Sequence, residues 1–263
     1  MTTTTPFAAF YLDVTRDHTE EQIAHALAKN GMITFDAIRS KEDLLHLCTL
    51  LGTIVKHRDA DRTGLTHIVK REDVQFIEGY QAFTDSHLTL HTDGSSIPDP
   101  ATLVVLWCTQ PAEEGGMSFF VDGKLLYQVL AKEHPQILRV LTTPHSAIFA
   151  GAKAPLYSSV FSTAECGTVC IRFRYDRLGY YTAPMCRVLP AFLELLDQYK
   201  ISFTLCKHQG YIIQNGRWLH GRTAFRGERE MYRVLIHTNP ATQIGKYVHL
   251  GFKLDSSYKQ GVY

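Results

Sequence analysis

Two histidines and one carboxylate have the residue types a metal ion needs. His91-Thr92-Asp93 is an H-x-D triplet; on a strand, residues two apart project to one face, so an imidazole and a carboxylate there can grip a single ion. The triplet alone says little. With 13 His and 14 Asp in 263 residues chance produces one about once, and His57-Arg58-Asp59 is a second instance. Context separates the two. His57-Arg58-Asp59 lies in a charged stretch and lacks the asparagine, five residues after the Asp, of a kinase catalytic loop, so it reads as a solvated loop. His91-Thr92-Asp93 leads towards a long apolar segment, and a further histidine, His220, recurs far along the chain within Asn215-Gly-Arg-Trp-Leu-His-Gly-Arg222. Two histidines and one carboxylate from distant segments are what a facial triad for non-heme Fe(II) requires, because it leaves positions on the metal open to co-substrate and O2.

The elements that must position these groups are partly readable. Thr19-Glu-Glu-Gln22 has the form of a capping box and predicts a helix over 19–30, ended by Gly31. A strand is expected over Met32–Ala37, and Ser40 caps a second helix carrying Leu44, Leu47, Cys48 and Leu51, stopped by Gly52. From Thr53 to Asp85 the chain is polar and irregular, with one short strand expected at Val74–Ile77. Strands are then expected at Leu88–His91, Ala101–Cys108, Val169–Tyr175, Ser202–Leu205, Tyr211–Ile213, Trp218–His220 and Tyr232–His237. Asp122 caps a helix that stops before Pro135, and Pro190 is expected to open another through Leu193, Leu196 and Tyr199. Many strands with helical insertions imply a mainly β, α+β architecture: a sandwich or open barrel decorated by helices, in one domain over residues 1–263 with Met1–Thr5 disordered.

Composition narrows the function classes. The 27 Lys+Arg against 26 Asp+Glu give a net charge of +1, so no basic footprint advertises a nucleic-acid or membrane-surface partner. Hydrophobic residues at 45% and charged residues at 20% are those of an ordinary folded domain. No signal-peptide pattern or membrane span is present, which predicts a cytoplasmic location. Cys48, Cys108, Cys166, Cys170, Cys186 and Cys206 form no C-x-x-C pair and are expected to be reduced, buried apolar residues.

The ordered set His91-x-Asp93, Gly115-Gly-x-Ser118, His220-Gly-Arg222 and Arg233 resembles the Fe(II)/2-oxoglutarate oxygenases of the taurine dioxygenase-like superfamily, which includes the clavaminate synthase-like enzymes. The similarity runs from about Met32 to His237. Gly115-Gly-Met-Ser-Phe-Phe-Val-Asp-Gly123 is also similar to the branch with the γ-butyrobetaine and trimethyllysine hydroxylases. The resemblance implies a double-stranded β-helix, or jelly-roll, core with helices packed on one sheet. It implies Fe(II) on His91, Asp93 and His220, with 2-oxoglutarate and O2 as co-substrates. Arg233, assisted by the Ser118 hydroxyl where many members carry threonine, would pair with the far carboxylate of 2-oxoglutarate. A guanidinium suits that task because it offers a planar fork to a carboxylate. The reaction expected is hydroxylation, desaturation or cyclisation of a small molecule, an amino acid or a metabolite derived from one, with release of succinate and CO2. In the related halogenases a small residue replaces the carboxylate ligand; Asp93 fills that position and argues against chlorination.

Arg222, Arg226 and Arg229 compete with Arg233, and strand alternation favours Arg233 because it shares a face with Leu235 and His237 while Val234 and Ile236 share the other. His237, Ser95, Tyr80 and Trp218 are the candidate substrate contacts, each also readable as scaffold. Arg172-Phe-Arg174-Tyr175 reads as a half-exposed strand, and Asn215-Gly216 as a hairpin turn without chemistry. Three other classes use the same residues differently. A jelly-roll metal-dependent hydrolase or isomerase would not need Arg233, a non-catalytic binding module would release no succinate, and a nucleic-acid-modifying oxygenase would show a basic face.

Overall fold

The computed structural model of the protein describes residues 5–14, 20–151, 154–164 and 167–254. Thr19 of the expected capping box, Cys166 and Met1–Thr4 of the expected disordered tail lie outside the described residues. Two antiparallel sheets make the core. The larger has the order Met32–Phe35, Gly210–Gln214, Leu103–Gln110, Glu230–His237 and Thr53–Val55, with Thr66–Ile68 also paired to Glu230–His237. The smaller has the order Ile201–Phe203, Ser118–Asp122, Trp218–Arg222 and Leu88–His91. The inner faces share one apolar layer: Val104, Leu106 and Ile213 from the larger sheet meet Phe120, Phe203 and Trp218 from the smaller. Phe120 is fully buried there, stacked on Phe203 and edge-on to Tyr211, each at 4.9 Å between centroids. Truncating such a ring to alanine costs about 3–5 kcal/mol, so this layer fixes the spacing of the sheets beneath the site.

This is the jelly-roll arrangement expected, and the helical cover extends further than one sheet. Helices Glu20–Asn30, Lys41–Leu51 and Gln243–Tyr247 bury Ile23, Leu27, Leu44, Leu51 and Ile244 against the outer face of the larger sheet, on Leu103, Val105, Val234 and Ile236. Helices Gly123–Glu133, Pro135–Thr142 and Ala183–Gln198 cover Val121 and Leu219 of the smaller. Local chemistry sets several boundaries. The Ser40 hydroxyl accepts from the Asp43 N–H while the Asp43 carboxylate accepts from the Ser40 N–H, a reciprocal cap contributing about 1 kcal/mol.

Several expectations change: the strand expected at Val169–Tyr175 is Thr168–Ile171, and the segment Thr53–Asp85 holds the strands Thr53–Val55 and Thr66–Ile68. Pro190 does not open a helix; it lies inside Ala183–Gln198, which Pro184 begins. An internal proline costs about 3 kcal/mol, and the buried stripe Met185, Leu189, Phe192, Leu195 and Leu196 offsets it. Val74–Ile77 is not a strand: Glu72–Val74 is one 3-10 turn and Phe76 is 92% exposed, so no sheet face is offered to it. Cys48 and Cys108 are buried as expected, whereas Cys186 and Cys206 are exposed.

Candidate metal centre

His91 ends the strand Leu88–His91, whose partner is the strand carrying His220, and the pairing sets His91 directly opposite His220. The two rings lie 4.4 Å apart between centroids. Gly221 makes this approach possible: a Cβ there would stand 2.6 Å from the Leu88 carbonyl and 2.3 Å from the Phe119 ring. The pairing shifts register between His220 and Arg222, a local irregularity of the kind that re-aims side chains next to active sites. Asp93 lies two residues past His91 in a turn, followed by Gly94 at φ +65°. One ligand atom from each of His91, Asp93 and His220 lies within 4.8 Å of the others.

The hydrogen bonding leaves these atoms available. The Thr89 carbonyl accepts from His91 Nδ1 at 2.9 Å, which fixes the tautomer and turns Nε2 towards Asp93 Oδ1 at 3.6 Å. His220 is buried, and its Nδ1 has no hydrogen-bond partner. Burial and then the neighbouring His91 push the His220 imidazole down to about 3, so it is neutral and can donate a lone pair. Burial alone would raise the Asp93 carboxyl, but the Arg233 guanidinium and His91 outweigh it and hold the group far below the usual carboxylate range. Two imidazoles and an ionised carboxylate, with one imidazole nitrogen buried without a partner, fit a divalent transition metal.

These groups open onto a cleft that His91, Asp93, Ser118, Tyr211, His220, Arg222, Arg229 and Arg233 line. Asp93 is the sole carboxylate among the lining residues, against three guanidiniums. Arg233 does reach the site, but its Nη1 donates to both Asp93 oxygens at 3.2 Å. Arg222 donates to the Thr84 and Thr223 carbonyls and stacks on Phe225. Arg229 is 7% exposed, its Nε has no hydrogen-bond partner, and no carboxylate among the described residues pairs with it. Burial first pushes Arg229 down to about 10 and Arg222 to about 9; both remain cations at neutral pH. Gly116, at φ +67°, lies in van der Waals reach of the Arg229 stem. Ser118, 2% exposed, pairs with Arg222 across the strands.

The candidate substrate contacts fare differently. Trp218 is packing: its indole N–H donates to the Asn30 carbonyl at 2.9 Å and its ring meets Phe10 edge-on. Ser95 is buried, with its carbonyl on Arg172 at 2.8 Å. Tyr80 is half-buried beneath the Arg58 guanidinium, 4.4 Å from its ring centroid. His237 ends its strand opposite Thr53. None of the four lines the cleft described above. The residues that sequence reasoning passed over are Arg229, which lies just before the strand of Arg233, and Asn215 and Arg172, which grip the loop around Asp93. The Asn-Gly turn signal located Asn215 but carried no hint of its partner, 122 positions away.

Similarity to known proteins agrees with this geometry. Human γ-butyrobetaine dioxygenase is 26% identical over 175 residues, which are 59% of this chain and 44% of that protein. The match thus spans less than half the length of this curated relative. Among solved structures, an asparagine oxygenase in complex with Fe(II), 2S,3S-3-hydroxyasparagine and succinate superposes with a TM-score of 0.68 at 13% identity, covering 83% of this chain and 79% of that one. The PvcB protein of Pseudomonas aeruginosa gives 0.64 at 17% identity, over 87% of this chain and 83% of that one. The non-heme iron oxygenase OrfP in complex with Fe and α-ketoglutaric acid gives 0.63 at 15%, over 85% and 84%. The model of the family described as Taurine catabolism dioxygenase TauD, TfdA family matches residues 5–235, and the chain belongs to that family.

Proposed function

We propose that this protein is an Fe(II)- and 2-oxoglutarate-dependent oxygenase that hydroxylates, desaturates or cyclises a small molecule, an amino acid or a metabolite derived from one. The observation that carries the reading is the triad: His91, Asp93 and His220 within 4.8 Å, at the floor of a cleft with an unpaired buried cation. His91, Asp93 and His220 would hold the iron, which when bound supplies the O2 chemistry that turns 2-oxoglutarate into succinate and CO2 while a substrate C–H bond is oxidised. The protein's share is to bind, orient and exclude water.

Arg233 was the sequence's choice for the far carboxylate of the oxo acid, yet its charge is engaged by Asp93. We assign that carboxylate to Arg229, with Ser118 beside it, and give Arg233 the task of holding Asp93 ionised and oriented at the metal end. A buried guanidinium without an anion is costly, and a bound dicarboxylate relieves it. Similarity to an asparagine oxygenase, to OrfP bound to (3S)-hydroxy-L-Arg and to γ-butyrobetaine dioxygenase supports amino-acid-derived substrates. Tyr80 and His237 lie outside the cleft lining, so we assign neither to the substrate, in a chain we propose to act as one oxygenase domain. No described helix is long and apolar enough to cross a membrane; we propose that the protein works in the cytoplasm on free small molecules.

Succinate release from 2-oxoglutarate, measured across a panel of free amino acids and betaines, tests the reading. Substrate-stimulated succinate with a matching oxidised product is expected. A folded, iron-loaded protein that releases none with any oxo acid would overturn it.

A further inference from the structure

We infer that Asn215 and Arg172 are positioning residues that fix the backbone on either side of Asp93 so that its carboxylate faces His91 and His220; this rests on reading Asp93 as a metal ligand. Asp93 lies beyond the end of its strand, where no ladder holds it. The Asn215 side chain takes the place of a strand partner. Asp93 N–H donates to Asn215 Oδ1 at 2.8 Å, and Asn215 Nδ2 donates back to the Asp93 carbonyl at 2.8 Å. The second Nδ2 proton goes to the Ala101 carbonyl at 3.0 Å, tying the far end of the same loop. A primary amide offers an acceptor and two donors in one plane, and Asn215, 1% exposed, uses all three functions. Aspartate would supply only the acceptor and alanine nothing.

Arg172 closes the loop from outside. After Gly94 turns the chain, the carbonyls of Gly94, Ser95, Ile97 and Pro98 converge on its guanidinium at 3.5, 2.8, 2.6 and 3.1 Å. The strand Arg172 follows, Thr168–Ile171, is joined to the Asn215 turn, because the Ile171 N–H donates to the Gly216 carbonyl at 2.9 Å. That turn also begins the strand of His220. The hairpin therefore carries one candidate ligand on its strand and grips the backbone of another from its turn, so the separation of Asp93 and His220 is set by the four residues between Asn215 and His220 and one amide. Groups that orient metal ligands typically change metal affinity or activity about 10–100-fold when removed.

The test is a Co(II) titration of the metal-free full chain, followed by its visible d–d absorption, with thermal unfolding of each metal-free protein alongside. Asn215→Ala is expected to weaken Co(II) binding about 10–100-fold and to move the absorption bands. Arg172→Gln, half-exposed and so kinder to folding, is expected to shift both readouts the same way by less. Trp107→Phe is the control: it removes a buried hydrogen bond to the Ile38 carbonyl, remote from Asp93, and should lower Tm without touching affinity or spectrum. Wild-type affinity and bands in the folded variants, with only Tm reduced, would overturn the inference. If the unaltered protein bound no Co(II), the metal-site reading would fall, and this inference with it.

Discussion

His57-x-Asp59 and His91-x-Asp93 are the same pattern in one chain, and the imidazole–carboxylate distance is nearly the same, though through different ring nitrogens: His57 Nδ1 lies 3.4 Å from Asp59 Oδ2, and His91 Nε2 lies 3.6 Å from Asp93 Oδ1. What differs is everything that distant chain adds. Asp59 is taken by its neighbour Arg58 at 3.2 Å, and among the described residues no third His, Cys, Asp or Glu joins it in a metal-sized cluster. Asp93 receives His220 through strand pairing, Arg233 through the larger sheet and Asn215 through a hairpin turn. A two-residue motif is therefore only half of a site, and the other half is a matter of topology. The first motif is nonetheless not the freely solvated loop its charge suggested: the His57 side chain is 27% and Asp59 12% exposed. His57 is also close enough to feel the charges of Arg233 and Asp93.

The largest expected break in the comparison is at the carboxylates. Asp93→Ala should abolish Fe(II)-dependent succinate release, whereas Asp59→Ala should leave it within about twofold, because Asp59 pairs only with its neighbours His57 and Arg58 and belongs to no metal-sized cluster among the described residues. The arginines come next. Charge-assisted hydrogen bonds to a buried carboxylate contribute about 1.5–3 kcal/mol, so Arg229→Ala should raise the KM for 2-oxoglutarate about 10–100-fold with a smaller change in kcat. Arg233→Ala should instead lower kcat and iron affinity, since it strips Asp93 of its partner; steady-state kinetics with iron and oxo acid varied separately divides the two. Gly221→Ala is expected to destabilise the protein by about 1–3 kcal/mol, read as a lower Tm, because the new methyl meets the Leu88 carbonyl and the Phe119 ring. The smallest effect sharpens the contrast electrostatically. Burial and then Arg233 hold His57 below its ordinary value, so removing the cation in Arg233→Ala should move its NMR titration upward, and loading a divalent metal at the triad should move it downward.

Much of this was legible in sequence where the signal is local. Ser40 with Asp43, the apolar spacing of Leu44, Leu47, Cys48 and Leu51, and the alternation along Glu230–His237 are set by neighbours in the chain, and they appear as expected. The triad residues were legible by type and order. Their support was not. Asn215 acts on backbone groups of Asp93 and Ala101, and Arg172 on four carbonyls, so neither leaves a complementary side chain in the sequence to find. Arg229 was passed over because it lies just before the strand Glu230–His237, although it has the same parity as Arg233. Pro190 was misread because a helix propensity of about 3 kcal/mol is smaller than what a long buried stripe supplies. Trp218 shares strand parity with His220 but lies near the end where Asn30 and Phe10 close over it, a separation along the strand that parity does not encode.

The account turns on one claim, that Asp93 rather than Asp59 completes a metal site able to bind an oxo acid. Anaerobic titration of the metal-free protein with Fe(II) and 2-oxoglutarate, followed by the visible charge-transfer absorption of the chelate, tests it most directly. The unaltered protein and Asp59→Ala should develop the absorption, Arg229→Ala should need far more 2-oxoglutarate to reach it, and Asp93→Ala should show none. A folded wild-type protein without the absorption, or Asp93→Ala retaining it in full, would contradict the account.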